Sequence, residues 1–204
     1  MTNFAEQLRE SMHQVNVFKD KISDLNKYTD IMIDIETLDT KPTAVILSIA
    51  AVAFNIENGD ICEEKFDYVL NYQEQIDNGR STSIDTLLWW GAQSEEAKSL
   101  AFEGNAPLHF AIQELTIFFM ENCLDNARVW ANSPSFDLVI LKDAFDQNVP
   151  WNFWNERDVR TVTSLIPNDE EKVENNHIAI DDCINQINQV CNSYAKIKSI
   201  SNEK

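Results

Sequence analysis

The run AVILSIAAVAFN, Ala44 to Asn55, constrains the fold most. It is nearly all apolar, with no polar alternation to mark a wet face, so it suits a β-strand covered on both sides. Two further strands flank it. Ile31 to Ile35 precedes it, and ICEEKFDYVL, Ile61 to Leu70, follows the turn signal ENGD. The third strand is more polar and belongs at an edge.

Helical patterns then take over. SIDTLLWWGAQSEEAKSLAF opens with Ser83 as N-cap, and PLHFAIQELTIFFMENC begins with Pro107 at a helix start. RVWA, Arg128 to Ala131, is a short strand; NSPS breaks it, and FDLVILKDAFDQ is helical. WNERDVRT holds a last short strand, and Ile166 to Asn176 is an acidic loop. A final helix carries Ile180, Ile184, Ile187, Cys191 and Tyr194 on one stripe. The order β-β-β, helices, β-α-β-α predicts an α/β protein with a mixed central sheet flanked by helices.

Before the first strand, Phe4, Leu8, Met12, Val15, Phe18, Ile22 and Leu25 recur at helical spacing. Residues 1–28 thus read as a helical appendage, 29–198 as the main domain and 199–204 as a tail. The appendage is either a face for a partner or for homo-oligomer formation, or a helix packed on its own domain.

A chain of 204 residues supports one domain with a sizeable core. No apolar run is long enough for a transmembrane helix, so no membrane is expected. The four cysteines form no C-x-x-C pair and suit reduced thiols in a cytoplasm. A net charge of −18 argues against a non-specific nucleic-acid coat, which needs a basic surface. It leaves open an enzyme that meets a nucleic-acid end through bound cations, since metal ions invert local charge.

Three elements carry candidate chemistry. In DIMIDIETLDT, Asp34 and Glu36 project from one side of the strand and lie about 7 Å apart. A divalent cation relieves their repulsion, and Mg²⁺ or Mn²⁺ favours such oxygen ligands. D-x-E recurs at Asp169 and Glu171, so the pair alone is equally a strand-end surface feature. In WANSPSFDLVIL, Asp137 opens a helix, where the helix dipole alone favours an acid; the functional alternative is a third metal-site carboxylate, with Asn132 and Ser133 facing substrate. In HIAIDDCINQ, His177 and Asp182 stand five positions apart at the mouth of the last helix.

An acid pair on a first strand, an Asp beginning a middle helix, then H-x-x-x-x-D opening a last helix: together DIET, NSPSFD and HIAIDD resemble the histidine-bearing (DEDDh) branch of the DEDD exonuclease superfamily. DnaQ-type proofreading subunits, RNase T and oligoribonuclease belong there. IDTLLWWGAQSEEAK and FWNERDVRT look like the phage DexA-type exonucleases and the related mycobacterial exoribonuclease group. For Trp89 and Trp90 the alternative is helix packing, and for Arg157, Asp158 and Arg160 a structural ion-pair cluster. The resemblance implies an RNase H-like fold and a metal-dependent 3′→5′ exonuclease that releases nucleoside 5′-monophosphates. It implies two divalent cations, Mg²⁺ or Mn²⁺, between Asp34, Glu36, Asp137 and Asp182, with His177 as general base. It also implies substrate contacts at Thr37, Leu38, Asn132, Ser133 and Phe136, and single-stranded 3′ ends or short oligonucleotides as partners. The rival from another class is an inactive RNase H-like binding module with the N-terminal helix as its arm.

Overall fold

The computed structural model describes residues 26–166 and 177–202. Residues 3–25 of the helix expected over 3–28, and most of the acidic loop, lie outside the described residues; at its end Asn26 is a turn and Tyr28 is already strand, because Tyr28 pairs with Cys123. Five strands form one sheet: β1 (Tyr28–Thr37), β2 (Ile46–Phe54), β3 (Phe66–Val69), β4 (Cys123–Ala131) and β5 (Glu156–Asp158), in spatial order β3-β2-β1-β4-β5. β1 pairs antiparallel with β2, and β2 antiparallel with β3. β4 runs parallel to β1 and β5 parallel to β4. This is the expected mixed sheet, with the third strand at its edge.

All nine residues of β2 are buried, as its unbroken apolar run requires. Helices cover both faces. Ile31, Ile33 and Ile35 pack in one cluster with Leu115 and Phe118 of α4 (Leu108–Asn122) and Leu138 and Leu141 of α5 (Asp137–Ala144). Met32, on the opposite face of β1, packs with Cys183, Ile187 and Val190 of α7 (Ala179–Asn202) and Val159 of α6 (Val159–Ser164). A third cluster closes one end of the sheet. It joins Leu38, Val45 and Leu47 to Trp90 of α2 (Ile84–Gly91) and Ala97 and Ala101 of α3 (Glu95–Phe102). It is made possible by a bulge at the end of β1: Glu36 pairs with Ser48 but Thr37 with Ile46, which leaves Leu47 over.

The observed elements differ from the expected ones where polar chemistry intervenes. The helical stretch 83–102 is two helices, because Ser94 Oγ accepts a hydrogen bond from Ala97 N–H and starts a new one. A short helix, α1 (Tyr72–Asp77), was not foreseen. Its Gln75 is buried and serves β2 as a partner, accepting from Ile46 N–H at 2.9 Å and donating to Ile46 O at 2.7 Å. The third strand begins at Phe66 rather than Ile61, since exposed Glu63, Glu64 and Lys65 drop out of the ladder. β4 starts earlier than Arg128, at Cys123, and α7 runs through the boundary expected at residue 198. Among the described residues, no helix is long and apolar enough to cross a membrane.

Candidate metal centre

Three elements end at the same place. β1 and β4 are parallel, so the last residues of β1 and the loop that leaves β4 lie at one edge of the sheet, and α7 begins there. Asp34 and Glu36 come from β1, Asp137 from the first turn of α5 and Asp182 from the first turn of α7. These four carboxylates, with Asn132, Ser133, Phe136 and His177, line one cavity of about 350 Å³. Such a crevice beyond the carboxyl ends of strands is a usual ligand site in open α/β sheets.

The turn that aims Asp137 is local: Ser133 O accepts from both Phe136 N–H and Asp137 N–H. Asp34, Asp137 and Asp182 are 9%, 5% and 2% exposed. Burial and the charges of Asp137 and Glu36 push Asp34 well above the usual carboxylate range, with a hydrogen bond from Gln186 opposing the shift. Glu36 is pushed up to about 8 by burial, then by Asp182 and Asp137. Burial raises Asp137 to about 7, against the pull of backbone N–H groups and Arg160. These shifts express one fact: like charges crowded in a dry site favour protonation unless cations join them.

The donor set fits hard divalent cations. Carboxylate oxygens suit Mg²⁺ and Mn²⁺, and ligand atoms of Glu36, His177 and Asp182 all lie within 4.8 Å of one another. His177 thus faces the same point as two of the acids. Its backbone is left-handed, φ 54°, and burial lowers its imidazole below the ordinary histidine value.

The other expected contacts divide. Asn132, Ser133 and Phe136 line the cavity. Phe136 also walls a second, more apolar cavity of about 410 Å³, shared with Ile35, Glu36, Thr37, Thr86 and Trp89. Thr37 keeps its hydroxyl occupied, donating to Asp39 O at 2.8 Å. Leu38 is not brought to the site. It is 2% exposed and packs against Trp90 in the third cluster, held just past the end of β1 by its N–H donating to Val45 O at 2.9 Å.

Trp90 is a packing residue, 2% exposed, whose Nε1 donates to Thr37 O at 2.9 Å, while Trp89 stays 41% exposed. Of the basic cluster, Arg160 lines the metal cavity; Arg157 donates to the carbonyls of Trp154 and Glu156. Asp158 caps α6 by accepting from Arg160 N–H and the Thr161 hydroxyl.

Sequence reasoning missed Gln186. It is 4% exposed, its Nε2 donates to Asp34 Oδ1 at 2.8 Å, and its own Oε1 is buried without a hydrogen-bond partner. Its one signal is a position four residues after Asp182, hence on the same helix face.

No curated protein matches this chain. Among solved structures, *E. coli* exonuclease I in a zinc-bound complex with single-stranded DNA is similar at 13% identity, TM-score 0.58, over 85% of this chain and 41% of that one. Cell-death related nuclease 4 is similar at 13% identity, TM-score 0.55, over 84% and 65%. *S. pombe* Pop2p, in its Mg²⁺- and Mn²⁺-bound form, is similar at 13% identity, TM-score 0.51, over 97% and 91%. The chain spans about two fifths of the length of exonuclease I. At these identities the likeness establishes the fold, which is RNase H-like. A family profile described as the 3′-5′ exoribonuclease Rv2179c-like domain matches residues 29–194, and this chain belongs to that family.

Proposed function

We propose that this protein is a metal-dependent exonuclease that removes nucleoside 5′-monophosphates from the 3′ ends of single-stranded nucleic acid. The observation that carries this is the convergence of four carboxylates and His177, from β1, α5 and the start of α7, on one cavity. A binding module has no need to crowd so many acids into a dry crevice. Asp34, Glu36, Asp137 and Asp182 are the residues to hold two divalent cations, which would supply water activation and leaving-group stabilisation in an in-line displacement.

The protein's own groups do the rest. Burial keeps the His177 imidazole neutral near neutral pH, ready to accept the proton of the attacking water at a ring nitrogen. Arg160, at the cavity wall, offers a cation to the phosphate. The apolar cavity between Trp89 and Phe136 takes the terminal base by stacking, which tolerates any base. Recognition of an end rather than a long strand is compatible with a net charge of −18. Within the superfamily we assign the chain to the phage DexA-type and mycobacterial exoribonuclease-like group, and its family's description as a 3′-5′ exoribonuclease-like domain supports RNA as substrate. Four free thiols suit a reducing cytoplasm.

The test is digestion of 3′-end single-stranded RNA and DNA, with and without Mn²⁺. Mn²⁺-dependent release of mononucleotides by the wild type and none by Asp34→Asn supports the proposal. No release from either polymer overturns it in favour of a binding module.

A further inference from the structure

We propose that Trp89 is a positioning residue that links occupation of the base slot to the placement of His177. The inference rests on the exonuclease reading and deepens it. Among the described residues, Trp89 is the one aromatic ring in contact with both. It walls the 410 Å³ apolar cavity that opens beside Glu36 and Phe136. It also meets the His177 imidazole edge-on, with ring centroids 4.7 Å apart and planes at 84°.

The two neighbours of Trp89 differ in how firmly they are held. On one side is Trp90, whose ring lies 5.1 Å away at 82°. Trp90 is anchored in the third core cluster and hydrogen-bonded to the end of β1, so α2 is pinned to the strand that bears Asp34 and Glu36. On the other side is His177, a non-glycine residue at φ 54°, a backbone conformation that is uncommon for such a residue. His177 precedes α7 and gains nothing from helical hydrogen bonding, so side-chain packing must help to place its ring. Trp89 supplies an aromatic contact of the favoured T-shaped kind.

Trp89 itself is 41% exposed. A flat nucleobase entering the slot covers that exposed part and restricts the ring to one orientation. The same ring then fixes the imidazole against which it packs. An end that lacks a base leaves Trp89 free and His177 less well aimed. Binding energy of a non-reacting part of the substrate is thereby spent on the chemical step and appears in kcat.

The test compares an oligonucleotide bearing an ordinary 3′-terminal nucleotide with one ending in an abasic residue, in the presence of Mn²⁺. Wild type, Trp89→Ala and Trp89→Phe are assayed with kcat and KM determined separately. The wild type is expected to lose on the order of 10-fold in kcat when the terminal base is missing, the scale of a modest misplacement of a catalytic group. Trp89→Ala should show that lower kcat on both substrates, with no further loss on the abasic end. Trp89→Phe should recover part of the base dependence. If Trp89→Ala raises only KM and leaves kcat intact, the link is overturned and Trp89 is a stacking wall alone.

A second measurement keeps folding and chemistry apart. In the metal-free protein, the His177 imidazole NMR resonances should shift on adding a nucleoside 5′-monophosphate to the wild type and stay still in Trp89→Ala. Equal shifts in both overturn the inference. Absence of hydrolysis by the wild type overturns the exonuclease reading itself, whereas hydrolysis with an unaltered base dependence in Trp89→Ala overturns only the link.

Discussion

Asp30 and Asp34 lie four residues apart on one face of β1, and both are buried, yet their surroundings are opposite. Asp30 is wholly enclosed by hydrogen-bond donors. Arg128 Nε and Nη2 donate to its two oxygens at 2.7 Å, and Trp130 Nε1 donates to Oδ1 at 2.7 Å. The Thr29 hydroxyl and Ile56 N–H complete the set. Asp34 has one amide donor, Gln186, and a ring of other acids. The lower end of the strand satisfies its charge from within the protein. The upper end gathers charges that only something from outside can satisfy. A buried carboxylate is therefore no sign of a site; what counts is whether its neighbours answer it or compete with it.

The sharpest way to break this contrast is to neutralise each aspartate in turn. Asp34→Asn should cut Mn²⁺-dependent mononucleotide release by about 10³-fold or more, on the scale of losing a principal transition-state contact. The metal-free protein should remain folded, with a melting temperature no lower than wild type, because a repelled charge has gone. A wild-type rate in Asp34→Asn would place the chemistry elsewhere.

The second test exploits pH. A carboxyl group whose folded value lies above its unfolded one keeps a proton in the folded chain that the unfolded chain has released, so stability falls as pH rises between the two values. For Glu36 that window runs from 4.5 to about 8, and for Asp137 from 3.8 to about 7. Metal-free protein should accordingly lose on the order of 4 kcal/mol between pH 6 and pH 8, at roughly 1.4 kcal/mol per group per unit over two units for Glu36 and one for Asp137. Added Mn²⁺ should restore it. Denaturant melts at the two pH values measure this, and a flat metal-free profile would mean that the acids do not repel.

Asp30→Asn is the counterpart at the other end. It should leave the metal site's chemistry alone and cost about 2–3 kcal/mol in chemical denaturation, below the range for a wholly enclosed pair. Arg128 is 29% exposed, and water can answer it in part. Loss of activity without loss of stability would contradict the division between the two ends.

The smallest effect belongs to Gln186→Leu, which removes the one side-chain donor to Asp34 among the described residues. Partners that orient a ligand in this way are worth about 10–100-fold in metal affinity. Calorimetric Mn²⁺ titration should show a loss in that range, and unchanged affinity would make the hydrogen bond incidental.

These differences explain what could be read from the sequence. Asp34, Glu36, Asp137, His177 and Asp182 were legible because their chemistry is borne by residue type and by position relative to strand ends and helix starts. β2 was legible for the same reason: an apolar run has few places to go. Asp34 was set apart from Asp30 only by its spacing from Glu36 and by the likeness of DIET to a known motif, since the partners that distinguish their surroundings arrive from some hundred residues onward, at Arg128 and Trp130 for one and Asp137 for the other. Gln186 was invisible because an amide on a helix face has many uses. Trp89 and Trp90 are identical letters in sequence, and only the direction of α2 sends one into the core and leaves the other beside His177. Leu38 was carried as a substrate contact by resemblance alone, and no local residue announces that its side chain packs against Trp90.

The bulge at the end of β1 makes spacing matter more than identity. Ile46 and Ile49 both serve the same core cluster although three positions separate them, and Leu47 is the extra residue that permits it. Shortening Leu47 to a smaller apolar side chain would leave a gap. Deleting it would restore simple alternation with Ile46 still on its core face, but Leu38 and Trp90 would lose the neighbour that holds α2 in place, and an added residue would turn Ile46 to the wrong face. Descendants of this chain can thus vary the letters of this segment far more freely than its count, and an insertion or deletion there would reach the candidate site without touching one of its acids.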